Sequence, residues 1–186
     1  FTAVKTRPDN TWKYTWYTAN IMMDAGVFTI YAAGKPTTND LAAPATSGRV
    51  SIILKRPFVM AEVSPATVTK GQPLTVRGTA EGNPPSVQIW IIGNNYYSWS
   101  IVPVSADSSF RYVFPGEIGS QRPGGQYFAV VQHPMQNNIF EIAVSGDYVT
   151  LNNDTNLLRI SGPGSVQGTD LAEALSAAMS DHRAHD

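Results

Sequence analysis

The sequence predicts a mainly β protein made of sandwich modules, with one short amphipathic helix near its C-terminal end. Apolar residues alternate with polar ones in short runs, and turn residues separate these runs about every 8–12 positions. Aromatic and β-branched residues, which favour strands, fill the runs. A single apolar stripe of helical period follows them. Short, evenly spaced strands of this kind are typical of an immunoglobulin-like (Ig-like) β-sandwich.

Residues 58–145 are predicted to form one complete Ig-like β-sandwich. Leu74 and Val76 alternate with Thr75 and Arg77, as in a strand with one dry and one wet face. Further strands are predicted at 87–92, 97–104, 110–114, 127–131 and 139–144. Pro57 is predicted to end the preceding run and to form a hinge into this module.

Residues 1–57 are predicted to form a partial β domain, equivalent to the C-terminal half of a repeat unit. The sequence DNTWKY at 9–14 matches DSSFRY at 107–112 at a constant offset (107 − 9 = 98). Strands are predicted at 12–17, 27–32 and 49–54. Three or four strands with one bare apolar face need a covering partner, which the sequence does not supply before residue 1.

Residues 146–186 are predicted to form a β-hairpin followed by a helix, and they are the candidate for that partner. Leu171, Leu175 and Met179 belong to an apolar stripe that must dock on a sheet, since a helix of about three turns is marginal alone in water. We therefore expect this segment to complete the 1–57 unit, in the same chain or in a neighbouring one. Head-to-tail contacts of the second kind give filaments or lattices. The interface candidates are Trp12, Tyr14, Trp16, Leu171, Leu175 and Met179.

Composition argues against several classes of function. Lys and Arg number 13 against 14 Asp and Glu, and they are scattered, so nucleic acid is not an expected partner. The absence of cysteine rules out disulfides, thiolate metal sites and cysteine nucleophiles. No apolar run approaches the ~20 residues of a membrane-spanning helix, so membrane insertion is not expected. A chain that begins at Phe1 without methionine is expected to be processed or excised from a longer protein.

No residues in the sequence form a recognised catalytic motif, and we expect no enzyme activity and no obligatory cofactor. The motifs of the nucleophile elbow, the P-loop and the dinucleotide fold are missing. His182 and His185 could meet a metal, although a solvated terminus explains them as well. The side-chain oxygens of Asn152, Asp154 and Asn156 could bind calcium. The alternative is that these residues form an Asx-rich hairpin turn without an ion. Asn153 begins the sequon Asn-Asp-Thr and is the candidate N-glycosylation site.

Two interpretations are open for an aromatic group formed by Trp90, Tyr96 and Trp99. An exposed platform of aromatic rings would suit an extracellular adhesin or a carbohydrate-binding module. The alternative is that these rings fill a core or an interdomain contact, where large aromatic side chains contribute most.

Three stretches resemble the Ig-like repeats of archaeal surface-layer proteins, especially those of methanogens. They are VSPATVTKG at 63–71, GQYFAVVQHP at 125–134 and GSVQGTDLAEAL at 164–175. The resemblance implies tandem sandwiches tiled into a coat or sheath on the cell surface, with no catalytic residues. Members of that family are long arrays, and this chain begins and ends inside repeat units.

Together these observations predict a structural, extracellular protein of the cell surface. It is expected to assemble with copies of itself into a layer, sheath or filament. An adhesin or carbohydrate-binding module is the alternative, and an accessory domain of a hydrolase is a third.

Overall fold

The computed structural model describes residues 2–18, 23–34, 47–115, 124–135, 137–151 and 155–182. Within them the chain is mainly β with one C-terminal helix, as predicted, and the sheets are open. The elements are β1 (Gly26–Ala33), β2 (Ser47–Leu54), β3 (Val59–Ser64), β4 (Leu74–Ala80), β5 (Ser86–Gly93), β6 (Tyr96–Pro103), β7 (Ser109–Phe114), β8 (Phe128–Gln132), β9 (Ile142–Ser145), β10 (Tyr148–Leu151), β11 (Thr155–Arg159) and α1 (Gly168–His182).

Two antiparallel sheets of three strands enclose the first core. The outer sheet has the order β3-β4-β7, and the central sheet has the order β6-β5-β8. Val76, Phe110 and Phe114 of the outer sheet are buried in one cluster with Ile89 and Ile91 of the central sheet. These positions alternate along each strand, so the period-two pattern of the sequence places one face of each sheet in this core.

A second core lies on the opposite face of the central sheet. Trp90 and Ile92 of β5 pack there against Leu171 and Leu175 of α1, and the antiparallel sheet β9-β10-β11 contributes Val149. Because β5 contributes to both cores, almost every residue along it is buried. The central sheet is therefore the middle layer of the described fold.

This placement corrects the expectation that α1 covers residues 1–57. The predicted stripe forms, but it is covered within the same chain by the central sheet, where Leu171 is 2% exposed and Leu175 is fully buried. Trp90 and Ile92 offer the helix a large apolar surface on the central sheet, and burying it is favourable.

The front segment, defined as residues 1–57, is organised differently. Its strands β1 and β2 pair antiparallel over their full length, with Phe28 opposite Ile52 and Ile30 opposite Val50. No described side chain in residues 2–57 is fully buried. The prediction of a strand at 12–17 is wrong, since residues 12–18 form no β-ladder with any described strand.

Candidate interaction site

A tight turn at residues 7–11 has the same hydrogen bonds as a turn at residues 105–109. In the first, the Arg7 N–H donates to the Thr11 carbonyl oxygen at 2.8 Å, and the Asn10 N–H donates to the Arg7 carbonyl oxygen at 3.0 Å. In the second, the Ser105 N–H donates to the Ser109 carbonyl oxygen at 2.8 Å, and the Ser108 N–H donates to the Ser105 carbonyl oxygen at 2.9 Å. Asn10 has a φ of 62° and Ser108 a φ of 65°, the left-handed conformation that short polar residues tolerate.

A carboxylate closes each of these turns in the same way. Asp9 accepts from the Thr11 hydroxyl at 2.7 Å and from the Thr11 N–H at 3.0 Å. Asp107 accepts from the Ser109 hydroxyl at 2.7 Å and from the Ser109 N–H at 3.1 Å. In each case the hydroxyl donor is the main reason that the pKa of the aspartate lies below its ordinary value of 3.8, and the backbone N–H adds to it.

The strands that leave these two turns carry the same aromatic pattern in opposite environments. Phe110 and Phe114 of β7 are 3% and 6% exposed and belong to the first core. At the matching positions of the front segment, Trp12 is 50% exposed and Trp16 is half-buried, and Tyr14 between them is also half exposed. Aromatic rings contribute most to stability when they are buried, so these half-exposed rings leave a large apolar surface in contact with water.

The burial of β7 depends on its neighbour β4. Phe110 lies opposite Gly78 and Phe114 opposite Leu74 in the antiparallel ladder. A Cβ atom at position 78 would lie 2.8 Å from the Phe110 ring and would collide with the Met60 carbonyl oxygen of β3. Gly78 is therefore required by close approach, and the sequence pattern of β4 is matched to the aromatic residues of β7.

The front segment contains the opposing layer for its aromatic strand but no neighbouring strand among the described residues. The Trp16 ring meets the Phe28 ring of β1 edge to face at 6.3 Å. Phe28 and Ile30 share the half-buried face of β1, and Val27 and Tyr31 lie on its exposed face. Residues 11–16 therefore contact the β1–β2 hairpin through the Trp16 and Phe28 rings.

The remaining interface candidates, on α1, are covered within the chain. Leu171 and Leu175 are in the second core, and Met179 packs at its margin. Of the six candidates, Trp12 and Tyr14 are the exposed ones, and Trp16 and Met179 are half-buried. The candidate site is therefore the aromatic face of residues 11–16. We call these residues the front strand because they align with β7, although they pair with no described strand.

The proposed aromatic platform does not exist as one surface. Trp90 is fully buried, and its Nε1–H donates to Gln88 Oε1 at 3.2 Å. Tyr96 points to the first core and packs against Tyr127, whereas Trp99 lies on the other face of β6 and is 44% exposed. Tyr96 and Trp99 are three positions apart on a strand, so their side chains leave opposite faces.

A buried polar group links Trp90 to the loop before β9. The Gln132 amide nitrogen donates to Gln88 Oε1 at 2.7 Å, and its oxygen accepts from the N–H groups of Glu141 and Ile142 at 3.2 and 3.3 Å, when the amide is oriented to satisfy both ends. Each of these buried groups therefore has a partner, and the role of the network is structural.

His133 is also structural. Its ring is 4% exposed, and its Nδ1 accepts from the Met135 N–H at 2.8 Å. Because Nδ1 accepts, the neutral ring carries its proton on Nε2, which lies 3.0 Å from the Glu81 carbonyl oxygen.

The candidate metal and glycan positions fall mostly outside the described residues. Residues 152–154 and His185 are not described, and Asn156 is an exposed residue of β11. Within the described ranges, no three His, Asp or Glu side chains converge as metal ligands would. The calcium, metal and glycosylation hypotheses therefore stay predictions.

One cleft of about 330 Å³ lies at the N-terminal end of α1, between Asn94, Gly125 and Asp170. Gln167 anchors its floor, since its Oε1 accepts from the Asn95 N–H at 3.0 Å and its Nε2 donates to Ser165 Oγ at 3.0 Å. Asp170 is the one carboxylate among the described lining residues.

Comparison with known proteins does not assign the chain to a family. No family model, curated protein or solved structure matches it. The helix α1 is too short and too polar to cross a membrane, and the described part of the chain contains no other helix that could.

Proposed function

We propose that this protein is a structural component of an extracellular layer, sheath or filament, and that it assembles through its Ig-like sandwich modules. The observation that carries the proposal is the front strand. It has the turn and the aromatic pattern of β7, yet Trp12 and Tyr14 are half exposed where Phe110 and Phe114 of β7 are buried. A unit of this kind gains stability when another molecule covers it.

The outer and central sheets support the Ig-like part of the proposal. They place six antiparallel strands in two layers around one core, which is the arrangement that sandwich modules share. The shared turn and aromatic pattern support a tandem-repeat interpretation, in which the front segment is part of a second module. The sequence likeness to surface-layer repeats of archaea gives the cellular setting of the proposal.

The proposed mechanism is mechanical and needs no reaction. Backbone groups paired in sheets are protected from water and proteases, and head-to-tail contacts between units transmit load along the array. Each subunit would contribute one uncovered face and receive cover from its neighbour.

The assembly of the full chain tests this function. Light scattering and electron microscopy over a range of concentrations should show concentration-dependent particles or filaments. Replacing Trp12 and Tyr14 together by serine should abolish them. Trp99→Ser is the matched control, because Trp99 is a similarly exposed aromatic residue in another part of the chain.

Two results would contradict the proposal. One is a chain that stays monomeric at every concentration. The other is assembly that persists in the Trp12→Ser/Tyr14→Ser variant, since that outcome would place the contact elsewhere.

A further inference from the structure

We infer that the front strand docks on a second copy of this chain, and that it meets there the acidic outer face of helix α1. This inference rests on the proposed function and names the two surfaces that come together. It is carried by a separation of charge along the chain and by the side chains that α1 leaves exposed.

Charge is distributed unequally along a chain that is almost neutral as a whole. The front segment contains seven Lys and Arg against three Asp and Glu, a net charge of +4 (7 − 3). Residues 146–186, which we call the rear segment, contain two Lys and Arg against six Asp and Glu, a net charge of −4 (2 − 6). Residues 58–145 between them carry −1 (4 − 5). Segments of equal and opposite charge favour contact between the front of one copy and the rear of another.

The cations of the front segment include three in the same short stretch of sequence as its exposed rings. Lys5, Arg7 and Lys13 are exposed and form no ion pair with any described residue. Asp9, the one carboxylate in that stretch, closes its own turn through Thr11. A partner that covers the front strand is therefore favoured if it brings negative charge together with its own surface.

The rear segment presents negative charge on the side of α1 that faces solvent. Asp170 and Glu173 are exposed, lie three positions apart on one face of the helix and form no ion pair with any described residue. Ala177 and Ser180 are also exposed and continue this face with small side chains, which leave room for aromatic rings. The apolar stripe of α1 is turned into the second core, so docking on the outer face leaves that core intact.

The same charges decide between the ways in which two copies could meet. A front-to-front contact brings two segments of +4 together, and a rear-to-rear contact brings two of −4 together, so both are repulsive. A front-to-rear contact pairs opposite charges and leaves a free front and a free rear on every pair. It therefore propagates into an array. No ion pair between described residues joins the two segments within one chain.

Salt distinguishes this contact from one made by apolar surface alone. The distance over which exposed charges interact falls from about 10 Å in 0.1 M salt to about 3 Å in 1 M salt. The rate of assembly of the full chain, followed by light scattering, should fall by about tenfold or more between these two sodium chloride concentrations. An unchanged or higher rate in 1 M sodium chloride would overturn the inference, because salt does not weaken apolar burial.

Charge reversal in the front segment tests its cations against a matched control. Lys5→Glu/Lys13→Glu changes the net charge of the front segment from +4 to 0. Lys70→Glu/Arg111→Glu changes the net charge of the whole chain by the same amount, at exposed positions outside both segments. The first variant should assemble about tenfold more slowly or not at all, and the second should assemble like the parent chain. Equal rates for the two variants would overturn the inference.

A complementary variant tests the receiving face. Asp170→Asn/Glu173→Lys changes the net charge of the rear segment from −4 to −1 and places no cation in the first turn of α1, where the helix dipole would oppose it. This variant should assemble as poorly as Lys5→Glu/Lys13→Glu. Helix content measured by circular dichroism checks that α1 still forms.

A mixture of the two variants that fail to assemble is the decisive experiment. The chain with the altered rear keeps an intact front, and the chain with the altered front keeps an intact rear. Sedimentation of the mixture should show a one-to-one pair and no larger particle, whereas each variant alone stays monomeric. The pair also shows that both variants are folded, since each must supply one intact surface.

The outcomes separate this inference from the proposed function. Normal assembly of the chain with the altered rear, or a mixture that forms no pair, would overturn the inference and leave the proposed function standing. A parent chain that closes into a small ring, together with the one-to-one pair in the mixture, would support the inference and contradict a layer or filament. A parent chain that stays monomeric at every concentration would refute both.

Discussion

Replacing Leu175 by alanine is the sharpest test of how the C-terminal helix is held. Leu175 is fully buried in the second core, where Trp90 and Ile92 pack with α1. A leucine truncated at such a site loses its transfer free energy and leaves a cavity, which together cost about 3 to 4 kcal/mol. In a chain of 186 residues this should lower the melting temperature by about 6 to 16 °C.

Urea unfolding followed by tryptophan fluorescence measures this loss, because Trp90 lies in the same core. Ser176→Ala is the matched control, since Ser176 is the next residue on the helix and is exposed. Its effect should stay within about 0.5 kcal/mol. The difference in midpoint between Leu175→Ala and the parent chain should not depend on protein concentration, because the contact is within one chain. A loss below about 1 kcal/mol, or one that varies with concentration, would refute the packing of α1 on the central sheet.

Three further predictions follow from single contacts. Gly78→Ala should destabilise the chain by about 1–3 kcal/mol in urea unfolding, because the added methyl is forced against the Phe110 ring and neighbouring backbone; a neutral effect would contradict that close approach. His133→Leu should cost about 1–3 kcal/mol, since it leaves the part-buried Met135 N–H and Glu81 carbonyl oxygen without this partner. Stability equal to that of the parent chain would show that water replaces the ring. The pKa of Asp107, measured by carbon NMR, should lie below 3.8 and rise in Ser109→Ala. Because the folded-state pKa is the lower one, this aspartate stabilises the turn above its unfolded pKa and loses that contribution as the pH falls through the folded pKa. A parent pKa at or above 3.8 would contradict the hydrogen bond.

The alternation of apolar and polar residues predicted strands well where one face of the strand is buried and the other is exposed to solvent. β4 and β7 follow their alternation closely, because side-chain direction on a strand is set by position alone. β3 was missed, since five of its six residues are exposed and its pattern carries little apolar signal. Its existence depends on pairing with β4, which is information about a neighbour and not about the strand itself.

Burial on both faces of β5 was the feature that local pattern could not predict. Gln88 and Trp90 occupy the positions that alternation assigns to a wet face, and both are buried. They are tolerated there because Trp90 donates to Gln88, which in turn accepts from Gln132 on the neighbouring strand. A polar residue at a core position is recognisable only once its partner is known.

The two matching turns separate what local sequence specifies from what the surrounding fold specifies. Asp9 and Asp107 build the same turn with the same bonds, although Asp107 leads into β7 and Asp9 leads into residues that pair with no described strand. A turn closed by a side chain two residues away depends on few neighbours, so it forms in both places. The strand after it does not form alone, because its backbone and its aromatic face both need a partner. The difference in burial between Phe110 and Trp12 therefore follows the pairing of each segment, since β7 pairs with β4 and residues 12–18 pair with no described strand.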